Sequence, residues 1–261
     1  LLFIPLVVVI VIALVFLTIS PPQKPFFQFV KVSNTDYNNG GNVTVYFISW
    51  YGCPFGASDS WGLYLALSNY GTLNVTPNYS DVESLPFTQT QTVTSMVPGL
   101  IFNSFTPRSA VNFHAVYLLD RIFPNGTASL TNGTIIKFGQ ILNVELHELK
   151  KEVPSWVYNL VYEYQLQIPY QNSEPFAQLG NPPHIASSII ISGKGGTWMM
   201  IGYDQEVSYG APGILAVSAE GNPQAPEFLL QMLHRHSIPQ SLDFIYEEGI
   251  QINQIILKAM G

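Results

Sequence analysis

The chain has 261 residues, a formal charge of -7 and 47% apolar residues, room for one membrane anchor and one large domain with a sizeable core. Charged residues make up only 10%, and no Lys or Arg lies between Lys31 and Arg108, so the basic footprint of a nucleic-acid binder is missing. One cysteine, Cys53, excludes an intramolecular disulfide framework.

Residues 1–20, LLFIPLVVVIVIALVFLTIS, carry no charge, and as a helix they span roughly 29 Å, the thickness of the hydrocarbon core. They are expected to be an uncleaved transmembrane anchor contacting lipid. A signal peptide has a shorter apolar run and a small-residue cleavage site, which is not found before Pro21. Residues 21–42 follow as a Pro-rich juxtamembrane spacer and polar loop. Residues 43–261 are expected to form the main domain. Asn42, Asn74, Asn78, Asn125 and Asn132 each open an N-x-Ser/Thr sequon, which places that domain on the extracytoplasmic face as a glycosylated surface.

Val43–Ser49 is an apolar, β-branched run and predicts a buried strand. Ser58–Tyr70 predicts a helix, with Asp59 in an acidic first turn and Gly71 as the stop. Residues 72–112 are rich in Thr, Ser and Pro without a clear period and predict loops with one short strand. Phe113–Leu119 alternates as a strand does, and a further strand is expected in TIIKFGQIL. Val153–Leu166 reads as a helix opened by Pro154 and Ser155. The clearest hairpin is SSIIISGKGGTWMMIGY, turning at Gly193–Gly196. Gly213–Ala219, Pro226–His236 and Ser241–Met260 read as helices separated by Asn222-Pro223 and Ser237–Pro239. Strand–helix at the front and hairpin–helix at the back predict an α/β fold with a mixed sheet.

Trp50-x-x-Cys53-Pro54 between a strand and a helix resembles the thioredoxin-like superfamily. GCPFGASDSWGLYLALSNYG and IIISGKGGTWMMIGY are similar to an uncharacterised family of archaeal, membrane-anchored thioredoxin-like proteins that carry Cys-Pro-Tyr-Cys. The resemblance spans residues 43 to 255 and implies a thioredoxin-like mixed sheet flanked by helices, with loop insertions. It puts Gly56 at the family's second cysteine. A dithiol site needs one thiolate to attack and a second to resolve the mixed disulfide, so autonomous dithiol chemistry is excluded here. The resemblance also implies a proline facing the cysteine, often cis. Pro183 is the candidate, with Pro182 as competitor, and His184 beside it. The inherited turn would let Gly56→Cys close a disulfide with Cys53.

Other constellations are weak. His234 and His236 lie two apart, pointing about 200° apart on a helix, and form no metal cluster. Gly193-Lys194-Gly195-Gly196 lacks the P-loop spacing, so no cofactor is indicated. Glu247-Glu248 reads as a solvated helix face, and the four tryptophans as core residues. Three functions follow. The first is an accessory or structural subunit of a membrane-protein complex, such as a respiratory oxidase assembly, built on a redox-inactive fold. The second is a single-cysteine thiol–disulfide or peroxide-handling enzyme using Cys53. The third is a copper carrier using Cys53 with Met199, Met200 or a histidine. With 17 acidic and ten basic residues, acid unfolding should be weak, as suits the exterior of a thermoacidophile.

Overall fold

A computed structural model describes residues 23–38, 40–81 and 96–261. The expected anchor, residues 1–20, lies outside the described residues. Among those described, no helix is long and apolar enough to cross a membrane.

A five-stranded mixed sheet forms the centre. Its strands, in chain order, are β1 (Val30–Ser33), β2 (Val43–Ser49), β5 (Val111–Tyr117), β9 (Ser188–Gly193) and β10 (Gly196–Ile201), and the spatial order is β1-β10-β9-β2-β5. β2 runs parallel to β5 and antiparallel to β9; β10 runs antiparallel to β9 and β1. β2 and β9 are buried along their whole length, which is why both read as unbroken apolar runs. The expected hairpin is present: Gly193 pairs with Gly196 across Lys194-Gly195.

Helices cover both faces. Val45, Phe47, Ile189, Ile191 and Met200 pack against Leu63 and Leu67 of α1 (Pro54–Ser68) and Ile252 and Ile256 of α6 (Phe244–Met260). The opposite face, with Tyr46, Ile48, Ile190 and Met199, packs against α2 (Ile141–Glu152) and α3 (Ser155–Tyr162) through Leu149, Val157 and Leu160. Two shorter helices, α4 (Ala211–Ser218) and α5 (Ala225–His234), precede α6.

Four expectations change. The described residues of 72–112 are not mainly loop: β3 (Gly71–Tyr79) and β4 (Pro98–Pro107) form a long antiparallel wing that sits on α1. There Trp61 Nε1 donates to Pro98 O at 2.9 Å and Leu100 N–H to Ser60 Oγ at 2.8 Å. TIIKFGQIL is a strand only at β8 (Ile135–Lys137), which joins β6 (Arg121–Phe123) and β7 (Thr127–Ser129) in a small sheet, and its end opens α2. Asp59 is not in a first turn, because α1 begins at Pro54, and Gly71 opens β3 instead of capping the helix.

The described part of the expected spacer, residues 23–38 and 40–42, packs onto the domain. Phe27 N–H donates to Ile201 O at 2.8 Å, and Gln205 N–H donates to Phe27 O at 3.0 Å. Phe26 and Phe27 are buried in the main core, and β1 then extends the sheet. Burial of two aromatic rings outweighs the disorder that Pro and polar composition suggest.

Candidate functional site

The cysteine turn grows out of β2. Cys53 is the N-cap of α1, and its Sγ accepts the Gly56 N–H at 3.3 Å; Pro54, which has no N–H to satisfy, opens the helix. The turn is fixed from outside. Tyr51 N–H and Gly52 N–H donate to Leu119 O and Asp120 O, and Asp81 N–H donates to Gly52 O. Arg121 reaches Asp81 Oδ1 at 3.1 Å and Asn78 Oδ1 at 2.7 Å, while Asn78 Nδ2 donates to Tyr51 O at 2.7 Å. Gly52 is required here, since a Cβ would lie 2.4 Å from Asp81 Oδ2.

The turn is also sealed. Cys53 and Trp50 are each 2% exposed. Phe55, next in the helix, meets Phe27 and Tyr203 ring to ring at 5.9 and 5.3 Å, and Phe27 in turn meets Phe176. His184 is buried and packs edge-on to Trp50 at 5.6 Å, while its Nδ1 lies 2.7 Å from Pro182 O. His184 thus reaches the turn through the Trp50 ring. The cis peptide bond is Asn181-Pro182, so Pro183 is corrected to Pro182 as the cis proline; Pro182 is buried and Pro183 exposed.

At Gly56, a Cβ would lie 2.1 Å from Ser49 Oγ and 3.1 Å from Ser49 Cβ. A side chain at 56 would press first on the Ser49 hydroxyl at the end of β2. The expectation that Gly56→Cys is geometrically allowed thus carries a condition: the Ser49 hydroxyl must turn away from the new side chain.

A second constellation was not legible in the sequence. Asp59 of α1, Glu248 of α6 and Asp204 after β10 are all fully buried, and so is Ser187 beside them. Glu248 was expected on a solvated face; only Glu247 is exposed. Gly62 makes the approach possible, because a Cβ there would lie 2.6 Å from Glu248 Cγ. Burial first, and then the facing Glu248 carboxyl, hold Asp59 well above the usual carboxylate range. Burial likewise pushes Glu248 up to about 8. Two facing carboxylates would present only acceptors, whereas a proton on Asp59 turns the contact into a hydrogen bond. Asp204, also raised by burial, accepts Glu206 N–H at 2.8 Å. Glu145 of α2 is a fourth buried acid: it accepts Ile185 N–H at 2.7 Å, fixing the loop that carries His184, and burial raises it strongly. None of these four takes part in an ion pair among the described residues.

No group of three or more His, Cys, Asp or Glu among the described residues is placed to hold a metal ion. Met199 packs in the cluster that contains Cys53, but Met200 packs in the cluster on the other face of the sheet, so the two cannot join Cys53 together. His234 Nε2 is 2.8 Å from Tyr64 Oη. Asn42, Asn74, Asn125 and Asn132 are exposed, whereas Asn78 is half-buried with its amide engaged as above.

A family model described as a domain of unknown function, DUF929, matches residues 28–258. No curated protein and no solved structure matches the chain.

Two outcomes are expected. Gly56→Ala should cost about 1–3 kcal/mol in urea unfolding, and adding Ser49→Gly should recover most of it. Costs that simply add would mean that the two positions do not touch. For the buried acids the folded-state pKa lies above the unfolded value. The unfolded chain then releases protons first as pH rises, so stability is greatest below about pH 4 and falls toward pH 8. The thermal midpoint should be higher at pH 4 than at pH 8. Glu248→Gln should raise the pH 8 midpoint by about 2–4 °C and barely change the pH 4 value. A natural protein more stable at pH 8 would contradict this.

Proposed function

The chain belongs to the DUF929 family, and on that footing we propose that it is a redox-silent thioredoxin-like domain serving as an accessory subunit of a membrane-protein complex. The thioredoxin-like reading is supported by the order β5-β2-β9-β10, with α1 after β2, a parallel return at β5, and an antiparallel hairpin followed by α6. The cysteine at the N-cap of the first sheet-flanking helix has the placement that the resemblance implies.

The observation that carries the redox-silent reading is the pair Gly56 and Ser49. The second thiol is absent, and the Ser49 hydroxyl packs against the glycine that stands in its place. Burial of Cys53 works against thiolate chemistry as well, since reactive cysteines sit in accessible, electropositive surroundings. The anchor follows from residues 1–20. The described fold begins only a few residues later, which would hold the domain close against the bilayer. The exposed sequons support an extracytoplasmic face, and four buried carboxyls whose pKa values burial raises suit an acidic exterior such as that of a thermoacidophilic archaeon.

One observation favours the enzyme reading: Gly56 N–H points at Cys53 Sγ, as a helix N-terminus does when it stabilises a thiolate. A single experiment separates the two. Purified from native membranes in mild detergent, the protein should co-migrate with at least one other protein in constant ratio, carry glycans at exposed sequons and not at Asn78, and leave insulin disulfides unreduced. Cys53-dependent reduction would replace the proposal with the enzyme. Recovery as an unaccompanied soluble monomer would overturn both anchor and complex.

A further inference from the structure

The two edges of the central sheet are treated differently. The outer strand at one edge, β1, has four residues, a break in register between Lys31 and Ser33, and a lysine lying over Trp198. Short length, a bulge and a lysine are ordinary devices that stop an edge from pairing with other chains. The outer strand at the other edge, β5, has none of them. It runs seven residues, VNFHAVY, in unbroken register with β2, without Pro, Lys or bulge.

The pairing shows which backbone groups that edge offers. Val43 N–H donates to Ala110 O at 2.8 Å, and Leu118 N–H donates to Ser49 O at 2.9 Å, bracketing the parallel ladder. In a parallel pair, alternate residues bond to the neighbour. Asn112, His114 and Val116 therefore face β2, and Phe113, Ala115 and Tyr117 turn their N–H and C=O groups outward. Among the described residues no backbone group pairs with them.

A groove follows this edge. Two clefts of about 250 and 240 Å³ share Ala115, Val116 and Glu152. One is walled by Phe102 and Phe105 of β4, the other by Tyr51, Tyr117 and Glu148. Glu152 is exposed, lines both clefts and forms no ion pair among the described residues; Glu148 is bridged to Lys151 at 2.8 Å. The groove thus combines outward backbone groups that no described backbone group pairs with, aromatic walls held to the edge by Phe102 N–H donating to Tyr117 Oη at 2.9 Å, and a carboxylate without an ion-pair partner among the described residues.

We propose that the open edge of β5 receives an extended segment of a partner protein as a sixth strand, with a Lys or Arg of that segment set against Glu152. Backbone pairing supplies affinity in such strand addition, and the alternating side chains supply selectivity. A second copy of this chain is the poorer occupant, since its own β5, VNFHAVY, carries no Lys or Arg to set against Glu152. The site adjoins the cysteine turn at Tyr51 but needs neither Cys53 nor the anchor nor the complex, so it stands or falls apart from the accessory-subunit reading.

The test uses the full chain in detergent and a synthetic nine-residue peptide of alternating Lys and Val, with a Glu–Val peptide as control. Hydrogen exchange should slow by about tenfold or more over residues 111–117 with the Lys–Val peptide and not with the control. Glu152→Lys should weaken binding by about tenfold. Ala115→Pro, which removes an outward N–H while leaving the β2 ladder intact, should abolish it. If Ala115→Pro fails to fold, Glu152→Lys decides alone. No binding, binding without protection of these amides, or wild-type binding by Glu152→Lys would overturn the proposal. Equal protection of the edge without peptide, in a dimer, would do so in favour of a second copy.

Discussion

The first ten residues of helix α1, 54–63, have no face to water, and the rest of the molecule is arranged around that constraint. Residues 54–63 are buried without interruption, and no residue of the helix is exposed. A helix enclosed on all sides must be narrow wherever a neighbour comes close. Gly56 meets the end of β2, Ala57 meets Gly99 of the wing, and Gly62 meets Glu248 of α6. Ser60, whose hydroxyl would otherwise be stranded, donates to Ala57 O and accepts Leu100 N–H. The wing of β3 and β4 is what closes the side of α1 that a three-layer sandwich would leave to solvent.

The same enclosure determines the chemistry at both ends of the site. At the N-terminus it seals the thiol and sets the Ser49 hydroxyl against Gly56. In the middle it removes water from Asp59, and a carboxyl without water or a cation is stable only when neutral. A protein that keeps its buried acids protonated loses little when its surroundings are acidic, because few ion pairs are there to break. Three ion pairs among the described residues, all at least partly exposed, make that loss smaller still. Low charge content and buried acids whose pKa values burial raises thus act in the same direction.

Much of the central sheet was legible because its strands are buried on both faces and read as plain apolar runs; the turn at Lys194-Gly195 and the last helix were equally clear. What was hidden had mixed signals. β3 does alternate, with Leu73, Val75 and Tyr79 turned inward and Thr72, Asn74 and Thr76 exposed, but its apolar residues are few and Pro77 reads as a loop. The buried stripe of α2 is Ile141, Glu145 and Leu149, so an acid interrupts the helical period. Asp59 and Glu248 looked like surface charges because nothing local distinguishes a buried acid from a solvated one. Only the approach of α6 to Gly62 makes the difference, and that is a tertiary fact. The glycines at 62 and 249 were the available signal, since both sit inside otherwise good helices and mark close contact.

The enclosure of α1 is tested most directly by a carboxyl-carbon NMR titration of the full chain, with Asp59→Asn and Glu248→Gln used to assign the two signals. The account expects the pair to retain a proton at pH 6, with at least one midpoint well above the ordinary carboxylate value of roughly 4. Two independent midpoints near 4 would mean that water reaches the middle of the helix, and would contradict the account.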